Sequence, residues 1–499
     1  DSESTEESIE PKGLQTNRLG ISAVLFSSFE FLHFFLIAYG VYILLPHRRQ
    51  NVWLLGASYV FYASWDPRFL ALIVGSTIVD YFCGRKIEEG SPKEKRTFLC
   101  VSLVANLGAL AFFKYSNFFI DSVSAALSQW GFDPLSFRLH VILPVGISFY
   151  TFQTMSYSID IYRGELKATR NFIDFAVFVS FFPQLVAGPV ERAKRFLPQV
   201  QSERRISYAM LRAGAWLILL GFFKKVAIAD NLAPIVDRIF SRPEDVTSGL
   251  ATLIGVYAFA FQIFCDFSGY SDIARGVAKL MGFDLVLNFR MPYFSKNPRE
   301  FWTRWHISLS SWLRDYLYIP LGGSRGSSWL TARNLMITMA LGGLWHGAAW
   351  HFVAWGVFHG TILIVHRALE KPLAVLTPQS PRARRVWDLA CIVGFFHISC
   401  VGWIFFRVTD LSHVGILLGK VASPSLFLEL DTRVVLWSLW LAFLVLPLLA
   451  LQLAKERSQD MLVVKSWGPA KRLAVYLVLV AYIALCGATD GREFIYFQF

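Results

Sequence analysis

The amino-acid sequence predicts an all-α protein that crosses a membrane many times, and three observations support this fold class. Hydrophobic residues make up 55% of the 499-residue chain, charged residues only 17%, and the mean hydropathy is +0.45. Several apolar stretches reach the roughly 20 residues that a helix needs to cross the hydrocarbon of a bilayer. Few stretches alternate with period two, so helices are favoured over an outer-membrane barrel. This composition excludes a soluble enzyme.

The basic residues predict the orientation of the chain in the membrane. The net charge is +12, but Lys and Arg occur in short clusters between apolar stretches, which indicates cytoplasmic loops rather than a nucleic-acid site. These clusters are at 47–49, 85–96, 163–170, 192–205, 290–333, 367–385 and 455–472. Single crossings are then predicted near 21–45, 97–115, 139–160, 207–227, 250–268, 387–407, 434–453 and 473–488. The six cysteines form no C-x-x-C pair and are expected to be buried packing residues.

Three further stretches lie between two cytoplasmic clusters, so each must leave the cytoplasm and return. Residues 52–84 are long enough for a two-helix hairpin that turns at Asp66-Pro67, whereas 172–191 are only about one helix long and are predicted to be re-entrant. The third stretch is 334–366. In total, roughly 11 to 13 membrane segments are expected. Residues 1–20 are predicted to be a disordered acidic tail without the apolar core of a signal peptide, and residues 21–499 to be one membrane domain.

His346 is the strongest candidate for chemistry in the third stretch. It lies roughly 18 Å along a helix that starts at Asn334, which places it near mid-membrane. Polar groups are costly at that depth, and the neighbouring Gly342, Gly343 and Gly347 permit close approach of another backbone. The alternative interpretation is a packing histidine with a hydrogen-bond partner.

The other histidines of this stretch do not predict a metal site. They are His351, His359 and His366. Their spacings do not place a pair of imidazoles on one helix face, and no neighbouring carboxylate completes a ligand set. We therefore expect no bound metal.

Residues 297–316 are predicted to form one helix with Asn297 as its N-cap. Its aromatic and aliphatic residues recur at helical spacing, which suits a helix that lies in the cytoplasmic membrane interface. Its arginines are Arg299, Arg304 and Arg314. In the alternative interpretation the helix lines a vestibule, turns His306 inward and offers these arginines to an anionic donor. Composition leaves both interpretations open.

Two carboxylates and two lysines are further candidates. Asp266 and Asp272 lie near the inner end of a predicted crossing. There they either orient a histidine, pair with a basic residue or cap a helix. Asp272 is placed as an N-cap would be, because an apolar stretch follows it. Lys224 and Lys225 end another apolar helix and are expected to extend to the membrane surface. Residues 322–326 are a Gly-rich turn that lacks the Lys and Ser/Thr of a nucleotide-binding loop.

Six motifs occur in order along the chain and carry a resemblance to a known family. They are residues 143–153, 180–189, 266–272, 301–323, 344–347 and 494–499. From about residue 25 to the C-terminus, the chain resembles the membrane-bound O-acyltransferase family, and most closely its branch that takes part in alginate O-acetylation. Only the acidic tail falls outside the resemblance.

The resemblance implies roles and partners for the chain. The signature histidine of the family corresponds to His346, and the second motif residue, a histidine in this branch, corresponds to His306. The resemblance also implies a funnel through the membrane domain, acetyl-CoA as a cytoplasmic donor without a tightly bound cofactor, and a location in the inner (cytoplasmic) membrane. It further implies a separate extracytoplasmic protein that completes acetylation of a polysaccharide. The short predicted outside loops agree with such a partner.

Acyl transfer from a thioester requires a base near neutral pH, and imidazole meets this requirement. His346 either removes a proton from an acceptor hydroxyl, which we favour, or is itself transiently acylated. A serine-hydrolase mechanism is not expected, because no acidic residue neighbours a serine in a convincing triad arrangement. We expect an O-acetyltransferase that serves alginate or a related exopolysaccharide.

Several alternatives remain at this point. Within the same family they are D-alanylation of teichoic acid, with a carrier protein as donor, and O-acetylation of peptidoglycan. A transporter would also place a histidine and broken helices at mid-membrane, but the sequence shows no inverted repeat. A structural scaffold is the remaining alternative.

Overall fold

A computed structural model of the protein describes residues 25–133, 137–185, 188–423, 431–488, 492 and 494–495. Within these residues every regular element is a helix and no strand occurs, which confirms the all-α fold class. The acidic tail predicted for residues 1–20 lies outside the described residues. The single membrane domain predicted for 21–499 stays a prediction.

The helices follow one another along the chain with short connections. Up to residue 240 they are α1 (Phe29–Leu44), α2 (His47–Ala63), α3 (Phe69–Glu89), α4 (Pro92–Leu110), α5 (Ser116–Gln129), α6 (Ile147–Tyr162), α7 (Phe172–Ser180), α8 (Phe182–Leu185), α9 (Ala193–Gln201), α10 (Tyr208–Phe222) and α11 (Asp230–Phe240). The later helices are α12 (Gly249–Leu280), α13 (Pro298–Arg304), α14 (Ile307–Leu313), α15 (Ser328–His346), α16 (Trp350–Val375), α17 (Pro381–Arg407), α18 (Ser412–Ala422), α19 (Thr432–Ser458) and α20 (Pro469–Cys486).

Six helical stretches among the described residues are long and apolar enough to cross a membrane. They are Pro92–Gln129, Gly249–Leu280, Trp350–Val375, Pro381–Arg407, Thr432–Ser458 and Pro469–Cys486. Each coincides with a predicted crossing or with the return helix of a predicted hairpin, which confirms a polytopic membrane protein. Other predicted crossings correspond to shorter or less apolar helices, such as α1 and α6. The total of 11 to 13 segments therefore stays a prediction.

The first two returning stretches have the predicted form. The chain turns between α2 and α3 at Asp66, whose carboxylate accepts a hydrogen bond from the backbone N–H of Arg68. The stretch 172–191 is broken between α7 and α8, and α7 is too short at nine residues to cross a bilayer. Protein groups satisfy the backbone at this break: Ser58 Oγ accepts from Phe182 N at 3.1 Å, and Gln184 Nε2 donates to Phe178 O at 2.5 Å.

The third stretch forms a tight hairpin of α15 and α16. A Cβ atom on Gly343 would lie 2.2 Å from the carbonyl oxygen of Phe352, and one on Gly347 would lie 2.0 Å from the Phe352 ring. Close approach of another backbone is thus confirmed at Gly343, whereas Gly347 makes room for a side-chain ring. The predicted start at Asn334 of the helix that carries His346 was wrong, whereas the depth of His346 in the membrane stays a prediction. Because α15 already begins at Ser328, His346 is its last residue, about 27 Å along the helix and at the apex of the hairpin.

The single interfacial helix predicted for 297–316 was also wrong. The segment forms α13 and α14, and the chain breaks between them because Trp305 is extended and His306 has a left-handed backbone with φ of 42°. Its apolar residues do not rest on lipid. The side chains of Trp305 and Trp312 are only 1% and 5% exposed and pack inside the helix bundle.

The predicted caps and surface lysines near α12 were wrong as well. Because α12 runs for 32 residues, Asp266 and Asp272 lie inside it, and Asp272 caps no helix. Lys224 and Lys225 lie in a π-helical turn, Phe223–Ala229, between α10 and α11, and they are buried. They form ion pairs with the α12 carboxylates instead of extending to the membrane surface. A hydropathy pattern does not distinguish a lysine that has a buried partner from one that lies at a helix end.

Candidate active site

A cavity with a volume of about 600 Å³ lies between α13, α14, α15 and α16. His346 lies at one end of it, together with Trp355, Met339 and Gly342. Its other end is lined by charged and polar side chains of α13 and α16 and of the segment after α14. These are Arg299, Arg314, Tyr318, His366, Arg367 and Glu370. The cavity therefore connects a cationic entrance to a buried imidazole.

His346 is held in an aromatic cage at the apex of the α15–α16 hairpin. Its side chain is 5% exposed, and the centroid of its ring lies 5.0 Å from that of Trp355 and 5.4 Å from that of Phe406. The imidazole is the innermost titratable group that lines the cavity. A ligand that enters from the arginine end therefore meets His346 after the apolar part of the cavity.

His306 lies beside His346 but outside the cavity. The two ring centroids are 6.4 Å apart, and His306 is fully buried against Phe267 at 4.6 Å. Neither ring nitrogen of His306 has a hydrogen-bond partner among the described residues. His306 is thus turned inward, as in one of the two interpretations that the sequence left open, but it does not itself line the cavity.

The left-handed backbone at His306 is supported by the loop that follows α12. The carbonyl oxygen of Asn288 accepts from Ile307 N at 2.9 Å, and its side-chain oxygen accepts from Ser308 Oγ at 2.6 Å. Ser308 Oγ in turn accepts from Val190 N at 3.0 Å. Two distant segments thus hold the break that directs His306 toward His346.

Comparison with known proteins identifies the family to which this site belongs. A sequence model of the family described as "MBOAT, membrane-bound O-acyltransferase family" matches residues 161–406. A probable alginate O-acetylase of Azotobacter vinelandii is 46% identical over 391 residues, which are 78% of this chain and 76% of the relative. The chain belongs to the membrane-bound O-acyltransferase family. It is an acyltransferase.

Two further relatives show how far the similarity extends. A probable alginate O-acetylase of Pseudomonas putida is 40% identical over 499 residues, covering 95% of this chain and 100% of the relative. A peptidoglycan O-acetyltransferase of Helicobacter pylori is 35% identical over 437 residues, covering 81% of each chain. Both alignments extend well beyond the segment matched by the family model.

The structure separates the three arginines that the sequence grouped on one helix. Arg299 and Arg314 line the entrance of the cavity and have side chains that are 77% and 63% exposed. Arg304 points elsewhere: it is 14% exposed and donates to Glu456 at 2.8 and 2.9 Å. The hydrogen bond to Glu456 raises the pKa of Arg304. Arg304 therefore ties α13 to α19 and is not placed to bind a donor.

The entrance keeps a net positive charge although it contains carboxylates. Arg299 lies 3.7 Å from Glu370 across the opening. Burial opposes ionisation of Asp315, but hydrogen bonds from Arg314 and Arg192 outweigh that effect and lower its pKa. Asp315 thus stays ionised beside Arg314. Arg367 lines the same entrance, and the sequence alone did not single it out for this role.

Lys114 and Tyr115 are site residues that the sequence analysis missed. A π-helical turn, Ala111–Tyr115, interrupts the long helix of α4 and α5. It directs the ammonium group of Lys114 to the backbone at the end of α15, where it donates to Trp345 O at 2.6 Å and to His346 O at 3.3 Å. Tyr115 donates to Leu344 O at 3.0 Å. A lysine inside an apolar helix was the available signal, since charges there are costly and usually have a specific partner.

Asp266 and Asp272 contact lysines rather than a histidine. Asp266 lies 2.6 Å from Lys225, and Asp272 lies 2.6 Å from Lys224. Asp266 also accepts from the backbone N–H of Ile495 at 2.7 Å. The orienting role considered for these carboxylates is therefore not one of direct contact with an imidazole. Asp266 fixes the C-terminal segment against α12, and the neighbouring Phe267 packs on His306.

His351 and His359 have packing positions, whereas His366 lines the cavity entrance. His351 Nδ1 lies 3.2 Å from the carbonyl oxygen of Phe405, and His359 is buried between Trp302 and Trp355. In the part of the chain that the structure describes, no three His, Cys, Asp or Glu side chains cluster in a way that would hold a metal ion. The absence of a metal stays a prediction.

Proposed function

We propose that this acyltransferase takes an acetyl group from acetyl-CoA at the cytoplasmic face and passes it across the inner membrane for O-acetylation of alginate or a related acidic exopolysaccharide. The cavity is the observation that carries the proposal. Guanidinium groups at its entrance suit the phosphates of coenzyme A, because arginine binds phosphate through paired donors. Its apolar inner part suits the pantetheine chain, which ends in the thioester.

His346 is proposed to act as the general base. The hydroxyl oxygen of the acceptor forms a bond to the thioester carbonyl carbon, and the bond between that carbon and the coenzyme A sulfur breaks. The imidazole takes the hydroxyl proton and returns it to the thiolate, so coenzyme A leaves as the thiol. His306, which lies beside His346, is proposed to position the acceptor oxygen or the imidazole.

The test compares His346→Gln and His346→Ala with His351→Gln, a buried histidine of the same hairpin that does not line the cavity. Purified proteins in nanodiscs are supplied with acetyl-CoA, and release of coenzyme A thiol is followed with the native acceptor system present. We expect both His346 variants to lose about 10²- to 10⁴-fold in kcat, and the His351 control to keep its activity. Normal turnover by a folded His346→Ala protein would contradict the assignment.

A separate extracytoplasmic protein is proposed to complete the transfer to the polymer. Connections described at the outer ends of the helices, such as residues 241–248 between α11 and α12, do not form a separate extracytoplasmic domain. Crosslinking from these connections in whole cells, followed by mass spectrometry, tests for the partner. Membrane fractionation by density tests the inner-membrane location.

O-acetylation of peptidoglycan is a second candidate, favoured by the relative from Helicobacter pylori. D-alanylation of teichoic acid would differ in using a loaded carrier protein as donor. Mass spectrometry of secreted and cell-wall polymers from a deletion strain distinguishes the three candidates. Loss of acetyl esters from a secreted uronate polymer alone would support the proposed function.

A further inference from the structure

A second cavity, with a volume of about 370 Å³, is separate from the cavity that contains His346. It is formed by the end of α11, the loop 241–248 and the start of α19. Both α12 and α19 begin beside it and end near basic residues, Lys279 and Arg457 respectively. Since basic ends face the cytoplasm, this cavity opens on the outer face. It shares no lining residue with the larger cavity that contains His346.

Three arginines line this outer cavity and are exposed: Arg238, Arg242 and Arg433. None of them forms an ion pair with a carboxylate in the described parts of the chain. The aspartates nearby have other partners. Asp237 binds Arg407 at 3.0 Å and Arg492 at 2.8 Å, and Asp431 accepts from Val434 N as the cap of α19. The three guanidinium groups are thus available to a carboxylate ligand.

The remaining lining gives the cavity both apolar and hydroxyl-binding surface. The indole of Trp437 and the side chain of Val434 form an apolar wall, while Ser241 and Thr247 supply hydroxyl groups. Asp245 adds a carboxylate that can accept hydrogen bonds. A ligand complementary to this lining carries carboxylates, hydroxyl groups and an apolar face. Sugars that bear a carboxylate have all three.

The outer cavity is linked to the catalytic region through the end of α17. Arg407, which binds Asp237 in the cavity wall, directly follows Phe406 in the chain. The Phe406 ring lies 5.4 Å from the ring of His346. One helix end therefore contacts both His346 and the cavity wall, from the side opposite the donor entrance. A ligand held in the outer cavity would lie on the acceptor side of His346.

We infer that the outer cavity binds a uronate unit of the acidic polysaccharide, through the carboxylate on Arg238, Arg242 and Arg433 and the sugar face on Trp437. The choice of ligand rests on the proposed function. A cavity of this volume suits one small ligand unit, whereas a protein partner needs a broad contact of roughly 800 Å² per side. Arginine forks bind carboxylates in pairs of hydrogen bonds, which gives selectivity over a neutral sugar.

The test measures binding of a short oligouronate to the purified full-length protein in nanodiscs, without acetyl-CoA. A neutral glucan oligomer of the same length is the ligand control. The variant carries Arg238→Gln, Arg242→Gln and Arg433→Gln together. The protein control is Arg138→Gln, since Arg138 is an exposed arginine on the connection between α5 and α6 that does not line the cavity. Thiol release from acetyl-CoA verifies that each protein is folded.

We expect the wild type and Arg138→Gln to bind the oligouronate equally and to prefer it to the glucan. The triple variant should bind it about tenfold more weakly or worse, and should still use acetyl-CoA. Equal binding by the triple variant, or no preference for the uronate in the wild type, would overturn the inference. The inference would also be overturned if the triple variant no longer bound a protein partner but still bound the oligouronate. A failed proposed function would show separately, as loss of the His346 dependence of thiol release.

Discussion

Lys114→Met is expected to reduce turnover without weakening donor binding. In the structure the ammonium group donates to Trp345 O at 2.6 Å and to His346 O and Ser148 Oγ at 3.3 Å. Its nitrogen also lies 5.7 Å from the centre of the Trp345 ring. These contacts fix the carbonyls at the end of α15, where a positive charge is favoured by the helix dipole. Methionine keeps the length of the side chain but provides no donor.

The expected loss follows from the number and type of these hydrogen bonds. A hydrogen bond from a charged group contributes about 1.5–3 kcal/mol, and the shortest of the three is the contact with Trp345. If this energy is what holds the imidazole in its reactive orientation, its loss lowers kcat by roughly 10- to 150-fold. KM for the donor should not change, because Lys114 does not line the donor cavity. Lys114→Arg should restore part of the activity.

The assay follows thiol release across a range of acetyl-CoA concentrations with purified protein in nanodiscs. Lys93→Met is the matched control, since Lys93 is an exposed lysine in the first turn of the same long helix. Thermal unfolding of each variant shows whether the bundle is intact. A folded Lys114→Met protein with kcat within twofold of wild type would refute the positioning role. A raised KM with normal kcat would instead place Lys114 in donor binding.

The remaining predictions concern the entrance, pH and topology. Arg299→Lys and Arg314→Lys should raise KM for acetyl-CoA at unchanged kcat. Arg304→Lys should lower the melting temperature and leave KM unaltered. A KM equal to that of wild type in all three proteins would exclude the donor entrance. Burial raises the pKa of Glu191 to about 7 despite Arg195. The pKa of Glu191 is therefore higher in the folded state than in the unfolded chain, where it is about 4.3. The protonated carboxyl makes its full contribution to folding stability below about pH 4, and this contribution is lost as the pH rises through 7. The melting temperature of wild type should therefore fall more steeply between pH 5 and 8 than that of Glu191→Gln. Parallel curves of melting temperature against pH would contradict this. Single cysteines are placed at Ser202, Ser328 and Ser380. An impermeant maleimide should label them only after the cytoplasmic side is opened, and labelling in intact cells would overturn the orientation.

Hydropathy and the residues that end helices predicted the larger elements of the fold, because both depend only on residues close together in the sequence. The hairpin turn at Asp66-Pro67, the broken stretch 172–191 and the α15–α16 hairpin all follow from apolar length and from proline or glycine at a defined position. Helix ends were less predictable. α12 continues to Leu280, past the predicted end at 268, because its polar residues have buried partners on neighbouring helices. A sequence pattern shows a polar residue but not its partner.

The break at His306 illustrates why the site geometry was only partly predictable. Residues 297–316 have the apolar spacing of one continuous helix, and intrinsic preference favours that state. The structure adopts two helices because Asn288 and Val190, from distant segments, bind the backbone and side chains at the break. The pairing of His306 with His346 therefore depends on tertiary contacts. Before the structure, only the family resemblance indicated that the two histidines belong to one site.

The buried ion pairs beside the site explain how distant motifs can affect one imidazole. Lys225 contacts Asp230 and Asp266, and Asp266 also accepts from the backbone of Ile495. Removing one member of such a cluster leaves an uncompensated buried charge, which typically costs about 3–5 kcal/mol. Because Phe267 follows Asp266 and packs on His306, we expect a change at Asp266 to disturb the position of His306. A substitution at Asp266 should thus impair activity through the position of His306 rather than through proton transfer by the carboxylate.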